Sequence, residues 1–341
     1  MVLVLKTKLF RILLWSLAIL LTGWTLFHLP INSIVESISA LTWSQWFSWF
    51  GINALIIGLG TKRWHGFIAM LKAKISFNDL LIIRQAGHAV NFITPGPQCG
   101  GEPLQLFWLC RNGLSLENAL LSIGLDRFYE VLINFTVLLI CALMLLFMFD
   151  VQFVRASFNS SQILKGMLLT SAALAVVLWL VLLRPAVIFN RFRRLFSRWL
   201  EHPILNKIKN SWQLIKKDLQ LVLRTQKLVL VNAIFISFLA WAALVGELAL
   251  LLDFSNVNVG FTAFLLILIA MRLALLLPIP GGIGTLEASI FWSFQYLDLP
   301  TTAAIALIAL MRLRDLAILL FGLYCLRQAG GKTMLADVTT S

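Results

Sequence analysis

The sequence predicts an all-α polytopic membrane protein, with six full transmembrane helices and two re-entrant helical hairpins arranged as two inverted-topology repeats. Three observations lead there. Hydrophobic residues make up 60% and charged residues 13% of the chain, against roughly 45–50% and about 25% in an ordinary soluble domain. Apolar runs long enough to cross a hydrocarbon layer of ~30 Å recur along the whole length. One motif also occurs twice, about 185 residues apart. The first copy reads Pro95-Gly96-Pro97-Gln98-Cys99-Gly100-Gly101-Glu102 and the second Pro280-Gly281-Gly282-Ile283-Gly284-Thr285-Leu286-Glu287. In both, a glutamate lies seven residues after the proline. An arginine (Arg127, Arg312) follows 25 residues later, and an acid (Glu130, Asp315) three beyond that.

The first span runs from about Leu9 to Phe27, behind Lys6, Lys8 and Arg11. Phe27-His28-Leu29-Pro30 offers no small-residue cleavage site, so the segment reads as an uncleaved anchor rather than a signal peptide. The second span covers about Gln45–Thr61. Asp79–Ile93 is apolar but short and breaks at Thr94-Pro95-Gly96-Pro97, which predicts a hairpin over about 79–111. The third span covers about Ser115–Phe149 and the fourth about Leu164–Leu183. Between residues 184 and 227 stand eleven Lys/Arg against Glu201 and Asp218, with Ile188, Phe192, Leu195, Phe196 and Trp199 at helical spacing. This segment reads as amphipathic helices on an anionic leaflet. The fifth span covers about Lys227–Leu252. Gly260–Leu277 then breaks at Pro278-Ile279-Pro280-Gly281-Gly282, a second hairpin over about 260–297. The sixth span covers about Thr301–Leu326, and 330–341 reads as a disordered tail.

Basic residues set the orientation. Lys62, Arg63, Lys72, Lys74 and Arg111, the 184–227 segment, and Arg327 with Lys332 all fall on one side if both breaks return to the side they entered from. The positive-inside rule then puts both termini in the cytoplasm. Residues 1–150 form one unit of three spans and a hairpin, and 151–329 form the other. An odd number of crossings inverts the second unit relative to the first, an architecture common among transporters.

The residue types of the motif have a chemical logic. Proline lacks an N–H and glycine tolerates φ > 0, so such clusters reverse a chain within the membrane. Irregular backbone at that depth survives only when buried in protein or facing a water-filled cavity. Helices restarting near Gly101 and Thr285 aim free N–H groups at that cavity, and Arg127 and Arg312 add full positive charge, which suits phosphate. The candidate site is therefore Glu102, Arg127, Glu130, Glu287, Arg312, Asp315, Asn91 and Arg272. Its turns are Pro95, Gly96, Gly100, Gly101, Pro280, Gly281, Gly282 and Gly284. The same residues also fit a purely structural role: Arg127–Glu130 and Arg312–Asp315 are i,i+3 pairs that can neutralise each other, and Glu102 and Glu287 can complete triads locking each hairpin to its next helix.

Asn91-x-x-Thr94-Pro95-Gly96 with Gly100-Gly101-Glu102, then Asp126-Arg127-x-x-Glu130, then Pro278-x-Pro280-Gly281-Gly282-x-Gly284-x-x-Glu287, together resemble the transmembrane region of lysylphosphatidylglycerol synthases and its stand-alone relatives. The resemblance covers nearly the whole chain. It implies a prokaryotic inner-membrane protein that moves lipids between leaflets. Gln98-Cys99 lengthens the first glycine loop, and no soluble aminoacyltransferase domain is attached.

The function expected is a flippase or transporter for a phosphate-bearing lipid, by alternating access around the two hairpins. Its partners are anionic membrane lipids, with a homo-oligomer or partner enzyme also in view. The alternative is a membrane-embedded enzyme, or enzyme subunit, acting on lipid-linked donors. Short external loops without a Walker A or DxD motif favour transport. The four cysteines and four histidines show no ligand spacing, so no metal or cofactor is expected. The net charge of +13 is explained by topology, which argues against nucleic acid.

Overall fold

The structure, a computed structural model, describes residues 39, 41–93, 100–148, 172, 173, 176, 179, 226–276 and 280–339. The first span, most of the fourth, most of the basic 184–227 segment and residues 94–99 of the first glycine loop lie outside the described residues. Among the described residues the protein is all-helical, with no strand.

Helix α1 (Trp43–Met70) opens on a reciprocal cap. The Thr42 N–H donates to Gln45 Oε1 at 2.9 Å, and the Gln45 N–H donates to Thr42 Oγ1 at 3.4 Å, satisfying two donors left free at the helix start. The helix runs past Thr61, where the sequence ends the second span, and stops at Met70 before Lys72, which sits at φ 58°. Arg63 is thus a buried residue inside a helix and not a loop charge, because it has an acid to pair with.

Helix α2 (Phe77–Ile93) and the short α3 (Glu102–Arg111) flank the first break. Helix α4 (Leu116–Met148) has 33 residues, about 50 Å at ~1.5 Å per residue, well beyond the ~30 Å a bilayer core needs. Helix α5 (Lys227–Phe254) is apolar on all sides, with Leu228, Val231, Phe235 and Leu239 exposed. Helices α4 and α5 are both long and apolar enough to cross a membrane. An all-round apolar helix left open on one flank finds its match in lipid.

Helix α6 (Phe261–Ala274) is shorter, and a 3₁₀ turn (Pro280–Gly282) precedes α7 (Thr285–Tyr296). Helix α8 (Thr301–Thr339) carries Arg312, Arg314 and Asp315 in its first half. It runs beyond Leu326 and through Gly330, so the stretch up to Thr339 expected as a disordered tail is helical.

The chain divides into two compact units that interleave along the sequence. The first comprises Met1–Ile56, Asn78–Trp108 and Ala242–Ser341; the second comprises Ile57–Phe77 and Leu109–Trp241. Both segments that the sequence reads as hairpins therefore fall in the first unit, apart from the end of α3. Within it α6 packs on α7 and α7 on α8. Gly322 of α8 lies so close to α2 that a side chain there would meet the Gln85 carbonyl and the Ala89 methyl, the small-residue approach typical of membrane helix pairs. The Phe92 ring at the end of α2 packs over Gly281. Leu80, Ile290, Phe294, Ala304 and Leu307 form part of the buried core of this unit. In the second unit, the Phe67 and Tyr129 rings meet at 5.2 Å in a tilted contact amid Leu121, Leu125, Leu230 and Ala233.

Candidate functional site

The second glycine turn is built from glycines for a conformational reason. Gly281, Gly282 and Gly284 have φ of 59°, 61° and 84°, in the left-handed region that costs other residues free energy. Three such residues within four positions let the chain turn sharply just before α7. The Gly284 N–H donates to Glu287 Oε2 at 2.8 Å, so the glutamate seven residues after the proline folds back as the cap of its own helix.

Arg312 then fastens the turn to α8. Its Nε donates to Glu287 Oε1 at 2.6 Å, its Nη1 to the Gly281 carbonyl at 3.2 Å and to Asp315 Oδ2 at 3.1 Å, and its Nη2 to the Gly282 carbonyl at 3.3 Å. One guanidinium thus satisfies two loop carbonyls and two carboxylates. The 25-residue and three-residue offsets of the motif mark side chains that converge on one point. A planar fork of five donors can do this where an ammonium cannot.

The network continues. Arg314 binds Asp315 Oδ1 through Nε at 3.0 Å and Nη2 at 2.7 Å, and binds Glu247 Oε2 of α5 through Nη1 at 3.0 Å. Glu247 Oε1 accepts from Asn53 Nδ2 of α1 at 3.0 Å. Arg272 of α6 feels the charges of both Arg314 and Glu247. Three arginines and three acids thus cluster at one end-to-end network, balanced in charge, spanning α1, α5, α6, α7 and α8. Balance is what burial demands, because an unpaired charge at this depth is costly.

The first turn uses its glycines differently. The Gly101 N–H donates to Asn91 Oδ1 at 2.5 Å. A side chain at Gly101 would run into the backbone of Gly87 on α2, and one at Gly87 would run into Gln105 on α3. Gly101 is therefore required for space, not for φ > 0, and Asn91 ties the end of α2 to the start of α3. Pro95 and Gly96 lie outside the described residues.

In the second unit, Arg127 Nη1 donates to Glu130 Oε2 at 3.0 Å, the expected i,i+3 pair. Beside it Arg63 Nε donates to Asp126 Oδ1 at 2.8 Å and Nη1 to Ser237 Oγ at 3.1 Å, with Nη2 3.8 Å from Glu130. Glu102 belongs to the first unit and Arg127 to the second.

Sequence reasoning missed Glu247, Asn53 and the role of Arg63, and took Arg314 only as a further polar residue beside the motif. A signal for Glu247 was present: it is the one acid in the apolar run Leu228–Leu252, and an isolated acid there is functional or paired by default. Arg63 gave no such signal, since Lys62-Arg63 at the end of an apolar run looks like a loop.

The family described as the lysylphosphatidylglycerol synthase TM region matches residues 9–322. A UPF0104 membrane protein of Methanothermobacter thermautotrophicus is 22% identical over 278 residues, covering 77% of this chain and 78% of its own. No solved structure matches. With a match running through both glycine turns and both arginine-acid pairs, the chain belongs to the lysylphosphatidylglycerol synthase transmembrane-region family and is a membrane protein.

Proposed function

We propose that the protein moves a phosphate-bearing lipid between leaflets of an inner membrane, by alternating access around two re-entrant glycine hairpins. The observation that carries the reading is the second turn: a helix start and a partly exposed arginine meet in one unit with the α2 end of the first hairpin. In a membrane-lipid family, such a cluster suits a phosphate headgroup. The groups that would touch it are Arg312, Arg272 and Asn91, all in the first unit. Glu287, Asp315 and Glu130 hold the arginines until the headgroup competes for them.

Inverted repeats gain support from the ion pairs. Arg63–Asp126 joins α1 to α4 and Glu247–Arg314 joins α5 to α8, the second and third spans of each proposed repeat, with the charges exchanged. The basic segments favour a cytoplasmic side for both termini.

The test is reconstitution. Liposomes holding the protein should translocate a fluorescent phosphate-bearing lipid without ATP, discriminating by headgroup far more than by chain length. Arg312→Ala and Arg127→Ala should each abolish this while expression falls only modestly. If no anionic or polyprenyl-phosphate lipid moves, and the purified protein instead converts a lipid-linked sugar to product, the enzyme reading replaces this one.

A further inference from the structure

The second unit contains a cavity of about 160 Å³ between the C-terminal half of α1 and the N-terminal half of α5. Its lining includes Lys62, Arg63, His65 and Asn232, with Val229 and Ile236 as apolar walls. At ~30 Å³ per water, it has room for a small headgroup. Gly66 lines it too, and a methyl added there would only touch the Val229 methyl across the gap.

We propose that this pocket is an anion site that takes the phosphate of a lipid headgroup, separate from the glycine turns. Three observations support it. The acids nearby are occupied: Asp126 is bound by Arg63, and Glu130 by Arg127. Lys62 and Asn232 stand exposed at the mouth, offering an ammonium and an amide donor. The His65 ring is held by Nε2 against the Ile75 carbonyl at 3.2 Å and by an edge contact with Phe77, so one wall of the pocket is rigid. Val231 and Phe235, exposed on the adjoining face of α5, continue the pocket as an apolar track for acyl chains. A headgroup with its chains therefore fits better than a free ion, although inorganic phosphate shares the recognition chemistry.

The pocket is tested by binding, independently of transport. Native mass spectrometry of the delipidated full chain would count retained lipids from an equimolar mixture of phosphatidylglycerol and phosphatidylcholine. Wild type should retain the anionic lipid preferentially. Lys62→Glu should lower that retention by about tenfold or more, since each basic group near an anionic surface contributes roughly fivefold and the reversal both removes a positive charge and adds a negative one. Lys74→Glu, an exposed charge outside the pocket, should leave it unchanged and controls for folding and general charge. Displacement by millimolar inorganic phosphate would assign the pocket to the free anion, and resistance to it would assign the pocket to the headgroup. Equal losses in the two variants, or no preference in wild type, would overturn the proposal.

Discussion

Replacing Arg312 with alanine isolates the contribution of the turn's fastening. The change removes the partner of Glu287, whose side chain is only 8% exposed, together with the donors to Asp315 and to the Gly281 and Gly282 carbonyls. Breaking one side of a buried pair typically costs 3–5 kcal/mol. The arginine side chain is 25% exposed, and Glu287 keeps its bond from the Gly284 N–H, so a value near the low end, about 3 kcal/mol, is expected. That loss falls on local opening of the turn, because α6 and α7 still pack on each other. At about 1.4 kcal/mol per factor of ten, amides from Gly284 to Ala288 should exchange with deuterium roughly 100-fold faster in the variant. Exchange in α4, in the other unit, should not change. Arg312→Lys keeps the charge but not the fork, and should fall between the two. Wild-type exchange rates in Arg312→Ala would refute the view that this side chain holds the turn.

Two further outcomes follow from the same contacts. Glu247→Leu and Arg314→Leu should each lower thermal stability, each stranding a buried charge. The double variant should be less destabilised than the sum of the two, a coupling of roughly 1–3 kcal/mol in a double-mutant cycle; strict additivity would show that the pair at 3.0 Å contributes little. Gly101→Ala should reduce folded yield sharply, because the added methyl meets Gly87 backbone, which cannot move aside as a side-chain tip can; unchanged yield and thermal melting would exclude the close α2–α3 approach.

Composition and apolar run length alone determined that this is a helical membrane protein, and the proline-glycine clusters marked both breaks to within a few residues, since glycine and proline act locally on φ and on the N–H inventory. The paired offsets likewise anticipated Arg312 meeting Glu287 and Asp315, because 25 residues across one turn and three along one helix fix proximity. Tertiary structure decided what periodicity cannot encode. Arg63 is a buried partner of Asp126 rather than a loop charge, and Glu247 and Asn53 extend the network to α5 and α1, over separations of 63 and 194 residues. Whether a lone charge in an apolar run is tolerated depends on which helix the chain lays beside it, and that is a property of packing. The same holds for Gly101, whose need for a bare backbone comes from Gly87 on a neighbouring helix rather than from its own conformation.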